Sequence, residues 1–451
     1  MTSQALLVQV TLLLCSISAF AVAGSQERVL QMVTVSIPFV AFARRLVVHF
    51  TGGSTDSATS QAFDPLVLVP IAGIVIVLLH GVPRGGQRAA RPRDYWFVVL
   101  TIVLVALGVV VSDLGGGGTT PSTIYYSSLT LLALVLLAVV ASESVRDAWP
   151  RIERLLPTLG AIVGLYGIYQ FFKLPSWDRD WMIASGLTTV GHPYPMQVRV
   201  FGTLESPGPY ACFVGVAILA AFHIAVVSKG ARRVLHAALA VGLMFPLLLS
   251  GVRAALIGVL ICAAILGLAT ARGLARVLPI GIGAVAIVGI NLVTSRFGGS
   301  STLFSQQRWS ANSLGTDPSV QARLNLISVA RDSITRVIGQ PSVTHADNLW
   351  VDVLVLYGAL AGVGLFVLTV YILIRCLWTM FKVGINSAAV IALFAVIMGV
   401  ATDILTFSFG LLAALAFGST LRQARKQPSN VIEDVPTFRT TAQRQSALIR
   451  N

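Results

Sequence analysis

Arg253, in the stretch LLLSGVRAALIG, is the only fixed charge between Val234 and Thr270. A guanidinium at the centre of a lipid-facing helix costs about 2.5–3.5 kcal/mol on insertion scales. The apolar run is also too long for one membrane crossing, so the chain must turn near Arg253 and give the charge an anionic neighbour. A planar, permanently charged fork suits phosphate oxygens, and the chemistry this residue could do is to hold a phosphate or diphosphate. Arg199, in QVRVFGTLESPGPYACF, is the second candidate. There Gly202 and Glu205 precede a Pro-Gly-Pro break that opens a helix N-terminus, whose amides and dipole favour an anion. The simpler reading of that break is an ordinary loop-to-helix junction capped by Ser206. The third stretch is THADNLWVDVLVLYGALAG. His345 can take a hydroxyl proton near neutral pH, and Asp347 can do the same or orient the histidine. Asp347 or Asn348 acting only as a helix cap is the alternative.

The elements that must position these residues follow from composition. With 55% hydrophobic and 11% charged residues and a mean hydropathy of +0.82, the chain has more apolar surface than one soluble core can hide. Its apolar runs are mostly of membrane-spanning length and lack the alternation of barrel strands, which predicts an all-α, polytopic integral membrane protein of about twelve or thirteen transmembrane helices. The net charge of +14 lies mostly in short loops between spans, a topology signal and not a nucleic-acid footprint. Cys15, Cys212, Cys262 and Cys376 sit inside apolar runs without pairing or metal-ligand spacing, and no metal or cofactor is expected. The first run, Ala5–Ala23, ends AVAG like a signal-peptidase site, but no Lys or Arg precedes it, which favours a retained helix.

Arginine placement orients the chain. Segments 81–94, 143–154, 228–233 and 271–276 are basic, and the positive-inside rule makes them cytoplasmic. Segments 51–63 and 114–123 have no Lys or Arg and belong on the other face. Val234–Ser250 then runs outward, Ala254–Thr270 returns and Val277–Thr294 runs out again, placing Arg253 at an outer hairpin. Leu349–Trp378 is expected as one inward span, followed by the hairpin Ser387–Asp403 and Leu405–Leu421. Arg28, Arg44 and Arg45 give no clean sidedness. The expected division is transmembrane helices over 1–173, a core over 174–364 with large outer loops 174–207 and 295–347, further transmembrane helices over 365–422, and a cytoplasmic tail over 423–451.

The late outer loop holds five arginines, Arg296, Arg308, Arg323, Arg331 and Arg336, and no lysine. Within it, DPSVQARLNLISVARDSITRVIGQP carries a cap at Asp317 or Ser319, and Val320, Leu324, Ile327, Ile334 and Val337 at helical spacing. This predicts an amphipathic helix over the membrane surface, stopped by Gly339 and Pro341. Any single interfacial arginine is most simply a lipid-headgroup or snorkelling residue; Arg253, flanked by apolar sequence, fits that reading least.

RVFGTLESPGPYA, then LLLSGVRAALIG, then a large late loop ending in HADNLWVDVLVLYGALAG, in that order, resembles the O-antigen ligase and Wzy-type polysaccharide polymerase superfamily over roughly 199–364. The resemblance implies a GT-C-like membrane glycosyltransferase of the bacterial inner membrane. It would take a glycan from an undecaprenyl-diphosphate carrier at the periplasmic face and need no metal. It implies Arg199 and Arg253 as the diphosphate-binding pair, a catalytic base at the end of the late loop, and Gly202, Glu205, Arg308, Arg323 and Asn348 in supporting places. Expected partners are the carrier-linked donor, a glycan or lipid A core acceptor, the bilayer and other polysaccharide assembly proteins. The family often has His directly before Asn, where this chain has Asp347, with His345 two residues earlier. Its frequent Pro-Asn is Pro207-Gly208 here. The first departure leaves the base as His345 or Asp347 and favours polymerase over ligase. A lipid-linked glycan transporter is the main reading from another class, but transporters place ionisable groups near the midplane, and the spans here offer chiefly His223 and His236.

Overall fold

The computed structural model describes residues 3–51, 65–80, 93–114, 121–142, 147–185, 190–270, 274–297, 325, 328–334, 339, 348–382, 386–402 and 409–424. Among these there is no β-strand, only an isolated bridge between Gly191 and Val198. The helices are α1 (Ser3–Val22), α2 (Gln26–Ser36), α3 (Val40–Phe50), α4 (Leu68–His80), α5 (Arg93–Leu114), α6 (Pro121–Ala141), α7 (Trp149–Lys173), α8 (Ser176–Ser185), α9 (Pro207–Val227), α10 (Gly230–Gly242), α11 (Met244–Leu249), α12 (Arg253–Thr270), α13 (Leu274–Phe297), α14 (Leu349–Tyr357), α15 (Ala359–Lys382), α16 (Ser387–Ala401) and α17 (Phe409–Gln423). Among the described residues, five segments are long and apolar enough to cross a membrane, and α2 with α3, bent by 53°, would make a sixth if the pair forms one span. The chain is an all-α, multi-pass membrane protein. Reaching twelve or thirteen crossings would require shorter apolar helices, such as Arg253–Leu268 and Ser387–Val400, to cross as well.

Helix α9 is the centre of the bundle. Its residues are apolar on every side, and a helix of that kind must be surrounded by others; 83% of its apolar window is buried, against 17% for α1. It packs on α7, α10, α12 and α16. Phe394 of α16 is fully buried between two glycines: a Cβ on Gly215 would lie 2.6 Å from its ring, and one on Gly258 would lie 3.0 Å away. Gly215 and Gly258 are each about two turns or less from the start of their helices. The N-termini of α9 and α12 therefore lie at one end of the bundle, and the C-terminus of α16 joins them there, because a Cβ on Gly208 would lie 3.6 Å from the Thr402 hydroxyl.

The expected turn before Arg253 is present, and Arg253 opens α12. Gly251 makes the turn with φ +65°, a left-handed conformation that side chains disfavour. The span expected over Leu349–Trp378 is not continuous. Gly358, at φ 87°, ends α14 before α15 begins, and a Cβ on Gly362 would lie 2.9 Å from the Leu354 backbone. A glycine in an apolar run carries no periodicity signal, so hydropathy alone merges the two helices. Of the expected amphipathic helix, residues 328–334 are helical.

Candidate functional site

Two sequence-distant candidates, Arg199 and the Arg253 turn, meet at this end of the bundle. The Arg199 amide donates to the Val190 carbonyl at 2.8 Å and the Val200 amide to Leu249 O at 3.2 Å. The Arg199 guanidinium Nε donates to Ser250 O at 3.1 Å. Ser250 is itself fixed: its hydroxyl donates to Leu247 O at 2.6 Å and accepts from the Val252 amide at 3.2 Å. A Cβ on Gly251 would stand 3.3 Å from Arg199 Nε, so any side chain there would be strained and would crowd the guanidinium. Both arginines are partly buried. Arg253 sits at the positive end of the α12 dipole, where a cation is disfavoured by about 0.3–1 kcal/mol. A bound anion would offset that repulsion.

The start of α9 offers fewer donors than the sequence suggests. Ser206 occupies the cap position in extended conformation, but its side chain makes no capping bond. Pro207 and Pro209 have no N–H, and the Tyr210 amide is bonded to Ser206 O at 3.2 Å. Gly208 supplies the remaining first-turn amide. A Cβ on Gly208 would lie 3.6 Å from the Thr402 hydroxyl, which puts the start of α9 beside the end of α16.

Helix α14 begins at the same place. Asn348 caps it, its Oδ1 accepting from the Trp350 and Val351 amides, each at 3.1 Å, while its Nδ2 donates to Val400 O at 2.9 Å. Of the two capping candidates, Asn348 is therefore a cap. It also ties the end of the late loop to α16. His345, Asp347, Arg308 and Arg323 lie outside the described residues.

The loop carrying Arg199 is clamped by groups that have no motif in the sequence. Arg45 is 2% exposed and Asp178 fully buried; Arg45 Nε lies 2.9 Å from Asp178 Oδ1. The same guanidinium donates to Leu204 O at 2.6 Å and to Gly202 O at 2.5 Å. Asp178 Oδ2 accepts from the Tyr166 hydroxyl and from Gln170 Nε2, both at 2.7 Å. Gln170 Oε1 accepts from the amides of Phe201 at 3.0 Å and Gly202 at 2.9 Å. Trp177 closes the set by donating to Tyr166 at 2.8 Å. Gly202 thus has its amide and carbonyl held from one cluster, and Glu205, partly buried, follows directly. Arg44 is buried too, its guanidinium 5.0 Å from the Trp181 ring centroid. Both arginines of the ambiguous pair are engaged in tertiary contacts.

Removing one partner of a buried ion pair strands the other charge and costs about 3–5 kcal/mol. Asp178→Ala should therefore lower stability by about that much, read as loss of thermal resistance in detergent. Arg45→Met in the same chain should recover part of it. A single variant as stable as the parent would refute the ion pair.

No protein-family model matches the chain, and no curated protein is significantly similar to it. The pair His223 and Glu153 is a bonded side-chain contact. His223 lies four residues before the end of α9 at Val227 and Glu153 in the first turns of α7. It is a contact near the ends of two helices.

Proposed function

We propose that the chain is a GT-C-like glycosyltransferase of the bacterial inner membrane that moves glycan from undecaprenyl-diphosphate carriers at the periplasmic face. Polymerisation of repeat units is favoured over ligation to lipid A core. The observation that carries this reading is the junction of Arg199 with the Ser250–Arg253 turn, at the end of the bundle where α9, α12 and α14 all begin. Arginines gathered there suit a diphosphate that gains negative charge as it leaves.

In the reaction, an acceptor hydroxyl oxygen forms a bond to the anomeric carbon as the bond from that carbon to the diphosphate oxygen breaks. The lipid diphosphate departs with the electron pair, Arg199 and Arg253 hold it, and the hydroxyl proton passes to His345 or Asp347 at the end of the late loop.

Glycan from cells with and without the gene, compared on gels, tests the activity. Loss of long chains with single repeats still attached supports polymerisation. Loss of all attachment supports ligation, and unchanged glycan with impaired export supports transport. Sidedness is checked separately: a cysteine placed at Ser313 should react with an impermeant thiol reagent added from outside, and one at Ser228 should not. Reversed labelling would put the arginines on the cytoplasmic side and remove the mechanism.

A further inference from the structure

The Arg45 cluster accounts for both faces of one peptide segment. Arg45 takes the carbonyls of Gly202 and Leu204, and Gln170 takes the amides of Phe201 and Gly202. Asp178 joins the two holders, bound to Arg45 on one oxygen and to Gln170 and Tyr166 on the other. Two residues before this segment, Arg199 reaches the Ser250 carbonyl of the Arg253 turn beside the Val200–Leu249 hydrogen bond, which sets the register of this extended segment. Val200, Leu249 and Ser250 are fully buried there, and the Arg199 side chain is partly buried. The Arg199 amide is also held by Val190 O, and the buried cluster fixes the far end of the segment at residues 201–204, so releasing that end loosens the register of Arg199 against the turn.

We infer that Asp178, acting through Arg45 and Gln170 and supported by Tyr166, is a positioning residue that sets Arg199 for an anionic lipid diphosphate. This rests on the function proposed above. Asp178 does not touch the ligand, and its charge is used inside the protein: it is neutralised by Arg45, whose two terminal nitrogens each donate to a backbone carbonyl. A group that only held the fold together would affect stability. A positioning group also changes how tightly the diphosphate is held while leaving turnover of bound donor largely intact.

The experiment uses the full chain in lipid nanodiscs with undecaprenyl diphosphate as the binding probe, comparing wild type, Asp178→Asn, Tyr166→Phe and Arg199→Ala. Hydrogen exchange is followed at the amides of residues 200–202. Asp178→Asn should weaken probe binding roughly tenfold and Tyr166→Phe about threefold, the order set by losing a charged acceptor against one hydrogen bond to it. Exchange at Phe201 and Gly202 should rise in both, without spreading along α9. With a carrier-linked donor, KM should rise in the same order while kcat stays within about twofold. If Asp178→Asn does not fold, Tyr166→Phe decides, since it leaves the ion pair in place. Faster exchange with wild-type probe affinity in the Asp178 and Tyr166 variants, while Arg199→Ala loses binding, overturns the inference and leaves the proposed function standing. Wild-type binding by Arg199→Ala overturns the diphosphate reading, and the inference with it.

Discussion

On the proposed function, Arg253→Ala should lower glycan transfer about 10²- to 10³-fold at equal protein level, the loss expected when a preorganised donor is removed from a site of developing negative charge. Arg253→Lys keeps the charge but not the fork that can engage two oxygens, so it should restore only a small part of the rate. Both variants should reach the membrane in wild-type amounts, because Arg253 begins α12 at the turn and is not needed inside a span. Measuring transfer with purified carrier-linked substrate, alongside quantified protein, separates the two effects. Wild-type rates in both variants would remove Arg253 from the site and with it the carrying observation for the proposed function. A loss confined to the membrane content of the protein would make the arginine structural.

His345→Ala lowers the rate about 10²- to 10⁴-fold if His345 takes the acceptor proton, with binding of the carrier largely retained. Asp347→Asn is then the milder change. His345 is favoured because imidazole is the side chain whose ordinary titration lies near neutral pH. If Asp347 is the base, the order of the two variants reverses and the rate persists to lower pH, since a carboxylate stays ionised where imidazole is protonated. The sign follows from the chemistry: a base works only when deprotonated, so the acidic limb of the pH profile marks its titration. Full activity in both variants would leave the segment as the lead-in to the Asn348 cap. That cap predicts its own signature, because Asn348 bonds both its own helix and α16.

Much of the helical layout was legible because it is a local property of the chain. Uninterrupted apolar residues in a medium without water must satisfy their backbone internally, so each long run becomes a helix. The runs around Arg253 show how far this reaches. The expected spans Val234–Ser250, Ala254–Thr270 and Val277–Thr294 correspond to helices over Gly230–Leu249, Arg253–Thr270 and Leu274–Phe297. The turn between the first two is marked in sequence by the Ser-Gly pair before the arginine. Where a helix was wrongly extended, at Gly358, the apolar pattern does not change across the break, and the stop comes from one glycine with positive φ.

The site divides in the same way. Residue type alone singled out Arg199, Arg253 and Asn348, since an arginine in an apolar run and a capping residue before one are each unusual in their immediate surroundings. Their meeting was not legible, because it depends on Phe394 fitting between Gly215 and Gly258 and on Arg199 bonding across to Ser250. Arg45, noted only for its unclear sidedness, and Asp178 were not recognised as part of the site. They stand far apart in sequence, one in an ambiguous N-terminal segment and the other in an expected loop, and neither lies in a motif. Burial of a charge is a demand that the whole fold must meet, with a partner at hydrogen-bonding distance. The chain by itself therefore determined that this protein is a bundle of membrane helices with unusual arginines at its turns, because helix formation in lipid needs only neighbours in sequence. Which arginine holds a backbone loop and which faces the turn was decided by tertiary structure, because pairing a buried charge requires groups that only folding brings together.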